Sequence, residues 1–496
     1  FFLIPLIRLT WSPLATIRAE DGTLTQHTQQ RCRHEVAVGA LAAVLVTTSI
    51  ACRQPVSKTD PVDVLIITID TLRADSLEPY GATDTLTPNI ARFAEQAVVY
   101  ESATTPITVT RPSHASMFTG RYPDQHGVLH NGYVLPDEEQ TLAEILKEQG
   151  YQTAGFVGVR LLGLASGIGQ GFDDFDAPIE KVQRRARMVV NPAIEWLENA
   201  DPESPVLMWV HIYDPHLSYN PPVGFRRGID PELDKSLPHI KWNTLKKVVE
   251  ENDGNVPAEV LEHAQLLYRG EVESTDRQVG RLLRSVDRLR DRSSSMVVLT
   301  ADHGECFENG IYFTHQDCLY EGTIHVPLIV RFSEGLGAGL RIDQRVSNLD
   351  VTPTVLAEVG LAVQEGNPGR PLQEVIGSPG DRHVMIRLPK VRYPDKVIPR
   401  RRVIKSVAQE PVAERTDPRT RGIVSRWWKY LGTPGTELLF RLPDEIRNLA
   451  DGNPDTLREM FEALETEQKR FSAGNPASES EDAATLEMLE ALGYVQ

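Results

Sequence analysis

The chain is poor in cysteine, short of basic side chains, and without an apolar run as long as a membrane-spanning helix. It has four cysteines in 496 residues. Cys32 and Cys52 fall in the first 52 residues, which leaves Cys306 and Cys318 as the pair able to bridge a folded domain. In an exported chain that pair permits a disulfide; the alternative is two buried thiols. Lys and Arg number 52 against 69 Asp and Glu, a formal net charge of −17. That balance excludes nucleic-acid binding through a general basic surface. A protein of this kind that handles an anionic ester must concentrate positive charge locally, through a metal, Arg or His. The apolar stretch at residues 36–50 (VAVGALAAVLVTTSI) falls short of the roughly 20 residues a membrane span needs. Residues 163–176 are glycine-rich but lack the strand–turn–helix spacing of a nucleotide-binding loop, and read as a plain loop. No internal repeat is visible.

What is present divides the chain. Arg31, Arg33 and His34 precede the apolar stretch, and Ala51 and Cys52 follow it. A basic region, a short apolar core and a small residue make a secretory signal. Cys52 at that point reads as an acylated lipoprotein cysteine, with Ser49 where Leu is usual; plain cleavage and an uncleaved anchor are the alternatives. The expected location is exported, in the periplasm or cell envelope, with membrane attachment through Cys52. The first methionine is Met117, and residues 1–34 are given no fold meaning. The expected divisions are a leader (1–52), a linker (53–61), a catalytic domain (61–380), a C-terminal subdomain (381–470), and an acidic tail with a short terminal helix (471–496). The length allows one large α/β domain and a smaller one.

Residues 62–69 (VDVLIITI) form a near-continuous β-branched run, the pattern of a buried parallel strand. Strands are likewise expected at 98–100, 152–157, 206–212, 295–301 and 326–332. Helices are expected at 87–97, 141–149, 182–199, 261–290 and 348–360. Asp70 follows the first strand, and Asp302 and His303 follow residues 295–301. Open α/β sheets place their ligands at such strand ends. Arg73 and Asp75 read as a structural ion pair. Residues 390–429 hold 12 Lys and Arg against 4 Asp and Glu, a solvated edge or, alternatively, a basic rim for an anionic substrate.

Residues 110–121 (TRPSHASMFTGR) run from a polar turn into a helix that ends at Gly120. A nucleophile is often mounted this way, with helix N–H groups facing an incoming anion. The stretch resembles the signature of the sulfatase family, in the alkaline phosphatase superfamily: Cys or Ser, any residue, Pro, Ser, Arg, three residues, then Leu-Thr-Gly-Arg. Pro112, Ser113, Thr119, Gly120 and Arg121 match, and Phe118 stands for the Leu. Residues 122–128 and 437–451 continue the likeness. Three places depart. Thr110 sits where the family has the Cys or Ser that becomes formylglycine. His114 replaces the Arg. Residues 158–161 (GVRL) replace Gly-Lys-Trp-His, so the Lys and His that sulfatases use to hold sulfate are missing.

The resemblance implies an alkaline-phosphatase-like α/β fold, with a mostly parallel central sheet flanked by helices and a small C-terminal α+β subdomain. It implies one divalent cation (Ca, Mg, Mn or Zn) held by Asp70, Thr110, Asp302 and His303. His303, where many members have Asn, favours a transition metal. Thr110 would be the nucleophile and Arg121 would help to neutralise charge. His216, His315 and His211 would move protons or touch substrate, with a core histidine as the other reading of His211. Ser113 and His114 would bind substrate; His114 and His126 also read as structural. Threonine carries a methyl on the carbon that would have to become an aldehyde, so no formylglycine forms. The implied activity is hydrolysis of sulfuric or phosphoric esters, with a sulfated or phosphorylated glycan or a lipid head group as substrate. The alternatives are a phosphomonoesterase or phosphodiesterase of the same superfamily, or a degenerate member that binds anionic glycans.

Overall fold

A computed structural model describes residues 61–471, apart from residues 180–181, 238–244, 246, 249–250, 253–254, 309–310, 379, 390–420 and 433–436. The expectations for the leader, the linker, Cys52, most of the basic stretch, and the acidic tail with its helix lie outside the described residues.

The strands are β1 (Asp63–Ile69), β2 (Val98–Thr104), β3 (Gln152–Val157), β4 (Asp174–Asp176), β5 (Val206–Ile212), β6 (Ser295–Ala301), β7 (Cys306–Glu308), β8 (Ile311–Thr314), β9 (His325–Arg331), β10 (Arg341–Ser347), β11 (Val384–Arg387), β12 (Arg421–Val424), β13 (Trp428–Leu431) and β14 (Leu438–Arg441). Eight of them form one sheet in the order β10-β2-β9-β6-β1-β5-β3-β4. All its pairings are parallel except those of β9, which runs antiparallel to β2 and β6. The central strands β1, β5 and β6 are buried along their whole length. Their unbroken apolar runs follow from that, since helices cover both faces of a parallel sheet. Register then positions the site. Ile69 at the end of β1 pairs with Ala301 of β6 and with Ile212 of β5. The residues that follow, Asp70 and Asp302, therefore emerge side by side.

Helices Ala186–Asn199 and Ala258–Leu289 pack together beside this sheet. The glycine-rich stretch is not all loop, because Asp174–Asp176 pairs with β3. Three residues with an exposed aspartate carry no alternation long enough to read as a strand. The hairpin β7–β8 and the edge strand β10 were equally silent. The second sheet, β11-β12-β13-β14, is antiparallel. Ile423, Tyr430 and Leu439 on one of its faces meet Met460 and Leu464 of helix Pro454–Phe471. Val424, Leu431 and Phe440 pack against Cys306, Cys318, Leu319 and Tyr320 of the catalytic domain. Cys306 and Cys318 are bonded to each other, with Cα atoms 6.6 Å apart. Fully buried Lys429 crosses this boundary: it pairs with Glu445, and its Nζ donates to the Leu319 carbonyl at 2.6 Å.

Candidate active site

Asp70, Asp302 and His303 meet at the C-terminal edge of the large sheet, and all three are fully buried. Their ligating atoms lie within 4.8 Å of one another. His303 Nε2 is 3.3 Å from Asp302 Oδ2 and 3.8 Å from Asp70 Oδ1. The His303 Nδ1–H donates to the Gly304 carbonyl at 3.0 Å, which leaves the Nε2 lone pair facing the two carboxylates. Asp302 Oδ1 accepts the backbone N–H groups of His303 and Thr71 at 2.9 and 3.3 Å. Among the described residues, Asp302 Oδ2, both carboxylate oxygens of Asp70 and His303 Nε2 have no hydrogen-bond partner. Unpartnered buried carboxylates are costly unless a cation joins them. Burial, with Asp302 and Glu305 adding to it, pushes the Asp70 carboxyl well above the ordinary carboxylate range. Burial likewise pushes Asp302 up to about 6. Two carboxylates and an imidazole nitrogen within 4.8 Å of one another can be joined by one ion with bonds of about 2.0–2.2 Å, so the residues present fit a divalent cation.

Thr110 opens the helix Thr110–Thr119, every residue of which is buried. Ser113 Oγ donates to the Asp302 carbonyl at 2.7 Å and lies 3.2 Å from Thr105 Oγ1, which ties the helix start to the end of β6. His114 is the middle of a chain whose direction its ends dictate. Trp209 Nε1–H, a donor only, gives to Thr68 Oγ1 at 3.0 Å. The Thr68 hydroxyl meets His114 Nε2 at 3.1 Å. His114 Nδ1 then donates to the Thr110 carbonyl, an acceptor only, at 2.8 Å. His114 is thus a neutral, doubly bonded histidine, in keeping with the lowering of its pKa by burial. It forms a second close group with His211 and Asp302. Both of its nitrogens are already spent, so it does not free a lone pair for a metal.

Three further histidines border the cluster. His211 Nε2 is 3.4 Å from Asp70 Oδ2. His315 stacks on His303, ring centroids 4.3 Å apart, and its Nδ1 is 3.4 Å from Glu305 Oε1. His216 lies 5.3 Å from His315, ring to ring, with its Nδ1 2.8 Å from the Tyr213 hydroxyl. Burial above all, with neighbouring histidines, holds His211 well below the ordinary imidazole range and His216 down at about 3. Burial does the same to His315.

The structure therefore brings together Asp70, Thr110, Ser113, His114, His211, His216, Asp302, His303 and His315. It does not bring Arg121 to them. A ten-residue helix is about 15 Å long, so Arg121 lies past the far end from Thr110. There it pairs with Glu139, at 2.8 and 3.0 Å. Arg121 is thus anchored to Glu139 and stands apart from the cluster. The helix N-terminus also offers less than expected. The Arg111 N–H is taken by Asn131 Oδ1 and the Ser113 N–H by the Val109 carbonyl. Arg73 and Asp75 form the expected pair, at 2.6 and 2.9 Å. Two residues were not singled out from sequence. Glu305 is fully buried between His315 and the Tyr219 hydroxyl. Thr71 carries a left-handed backbone. Glu305 adjoins the His303 motif, which is a signal; nothing in a threonine codon neighbour predicts its φ.

A mostly parallel α/β sheet with a buried carboxylate–imidazole cluster at its strand ends is a candidate hydrolase site that could hold a divalent cation. Residues 63–361 match the Sulfatase family, and the chain belongs to that family, in the alkaline-phosphatase-like superfamily. It is 25% identical over 389 residues to an ulvan-active sulfatase of Formosa agariphila, covering 71% of this chain and 73% of that one. It is 22% identical over 398 residues to an N-acetylglucosamine-6-O-sulfatase of Bacteroides thetaiotaomicron, covering 64% and 71%. Among solved structures, a phosphonate monoester hydrolase of Agrobacterium radiobacter matches with a TM-score of 0.65 at 20% identity, over 83% of this chain and 96% of that one. A protein solved with D-glucosamine-2-N,6-O-disulfate as its substrate matches with a TM-score of 0.63 at 18% identity, over 85% and 100%.

Proposed function

We propose that this protein is an exported, metal-dependent hydrolase of sulfuric or phosphoric esters in which Thr110 is the nucleophile. The observation that carries the reading is the set of unpartnered buried acceptors on Asp70, Asp302 and His303 beside the start of the Thr110 helix. Asp70, Asp302, His303 and Thr110 would hold the cation, and its bound charge would supply Lewis-acid stabilisation and ease ionisation of a nearby hydroxyl. The imidazole in the set favours Mn²⁺ or Zn²⁺ over Ca²⁺. His114 fixes the Thr110 backbone through its hydrogen bond to the Thr110 carbonyl. Glu305 orients His315, which would exchange a proton with the leaving oxygen or the attacking water. The covalent ester on Thr110 is then cleared by water in a second in-line step, without formylglycine. Sulfated glycans are supported as substrates by the relatives named for them. Phosphoric esters are supported by the threonine itself, which suits a phosphoryl-enzyme route, and by the phosphonate monoester hydrolase neighbour. The leader motif supports export and acylation at Cys52.

The test is a panel of aryl sulfate, phosphate monoester, phosphodiester and phosphonate monoester, assayed after chelation and after return of Mn²⁺, Zn²⁺, Mg²⁺ or Ca²⁺. Turnover restored by Mn²⁺ or Zn²⁺ is expected. Full turnover in chelator, or none of any ester with any metal, would contradict the reading.

A further inference from the structure

An anion that enters this site needs donors, and apart from His211 Nε2, which faces Asp70 with no hydrogen bond among the described residues, the obvious ones are absent or spent. The Lys-and-His stretch of the sulfatases is replaced at residues 158–161, and Arg121 is remote. His114 is engaged at both nitrogens. The N–H groups of Arg111, Ser113 and Thr71 go to Asn131, Val109 and Asp302.

Thr71 directly follows Asp70 and combines two independent anomalies. Its φ is 55°, in the left-handed region that a β-branched residue avoids. Its backbone is pinned there from both sides, by the Tyr268 hydroxyl, which donates to its carbonyl at 2.8 Å, and by its own N–H to Asp302. Its side chain is fully buried, yet among the described residues its Oγ1 has no hydrogen-bond partner. A strained backbone and an unspent buried hydroxyl both cost stability, and such costs persist where a ligand uses them.

A neutral hydroxyl adds little to the metal. Asp70 and Asp302 already present three unpartnered carboxylate oxygens, so acceptors are in surplus and donors are scarce. The group transferred from the ester carries its negative charge on its equatorial oxygens and requires donors. We propose that Thr71 is a substrate-binding residue whose hydroxyl donates to an anionic oxygen of the sulfuryl or phosphoryl group transferred at Thr110. This rests on the hydrolase reading above and adds to it the residue that takes over anion binding from the missing cations.

The experiment uses the full chain with Mn²⁺ and the variants Thr71→Val, Thr71→Ser and Thr71→Gly. Orthovanadate, a tetrahedral oxyanion probe, and Mn²⁺ alone are titrated calorimetrically, and each protein is melted. Thr71→Val keeps the shape and loses the donor; it is expected to bind vanadate about tenfold or more weaker and Mn²⁺ as wild type does. Thr71→Ser is expected to bind vanadate as wild type does. Thr71→Gly should bind vanadate as poorly as Thr71→Val yet melt higher, because glycine adopts this φ without strain. Equal vanadate binding by wild type and Thr71→Val would overturn the proposal. So would a loss confined to Mn²⁺ affinity, or a wild type that binds no oxyanion. A wild type that binds vanadate with this dependence on Thr71, yet hydrolyses no ester, would support the anion site and sink the hydrolase reading instead.

Discussion

At the scale of single residues, histidine decides most of the chemistry through burial. His126 shows the effect away from the cluster. Its Nδ1 accepts the Val128 N–H at 3.2 Å, so its Nε2 carries the proton that meets Ser116 Oγ at 3.0 Å. Burial first, then the positive charges of Arg121 and Arg387, hold its pKa down at about 3, against 6.5 for a free histidine. The unfolded chain therefore takes up a proton here as the pH falls below about 6.5, while the folded one does not until about 3. Stability from this group is present above 6.5 and drains as the pH drops, by about 1.4 kcal/mol per pH unit. Gln at this position keeps one donor and one acceptor but cannot ionise. Urea unfolding from about pH 7 to 4.5 should show wild type losing more stability than His126→Gln across that range. Parallel curves would show that His126 titrates normally. Asp70, Asp302 and His303 were marked by their place directly after apolar strands together with their order in the family motif, since a lone Asp at a strand end is usually a turn former or cap. Neither signal marked Thr71, since a positive φ comes from the two partners that pin its backbone, Tyr268 and Asp302, both roughly 200 positions away or more.

At the scale of elements, β1, β2, β3, β5, β6 and β9 were legible from their apolar runs, and the edges of the site were not. The contacts that shape it run between elements far apart in the chain. Arg121 is one case: its spacing from Thr110 is set by the motif, but only a formed helix shows that the two lie at opposite ends. The disulfide is a second case. Two cysteines twelve residues apart fit a bridge or a pair of thiols equally well, and the hairpin β7–β8 is what closes the distance. The bridge has consequences for the site, since Cys306 adjoins Glu305 and Cys318 lies three residues after His315. It closes a short loop around that pair, and by loop entropy it stabilises the fold by about 3 kcal/mol. The double variant Cys306→Ser, Cys318→Ser should lose about that much in chemical denaturation. It should also lose kcat more than KM, because Glu305 and His315 are held less closely. Unchanged stability together with unchanged kcat would remove the disulfide from the account.

At the scale of the whole molecule, the large sheet gathers three strand ends on one edge, and the small antiparallel sheet braces the segment behind them. Lys429 and Glu445 reach from the small sheet and the chain after it to the Leu319 carbonyl and the Glu321 N–H. A small C-terminal antiparallel sheet is visible in that packing, and the family is visible in the chain over residues 63–361. The proposed chemistry turns on one side chain that departs from the family. Threonine carries a methyl on the carbon that would become an aldehyde, so in the proposed reaction Thr110 attacks as a hydroxyl. The direct measurement is the rate of ester hydrolysis by Thr110→Ala, metal-loaded, on whichever ester of the panel the wild type turns over fastest. Loss of the covalent nucleophile predicts a fall of several orders of magnitude in kcat with Mn²⁺ binding retained. A variant that still hydrolyses that ester at close to the wild-type rate would show that Thr110 is not the nucleophile.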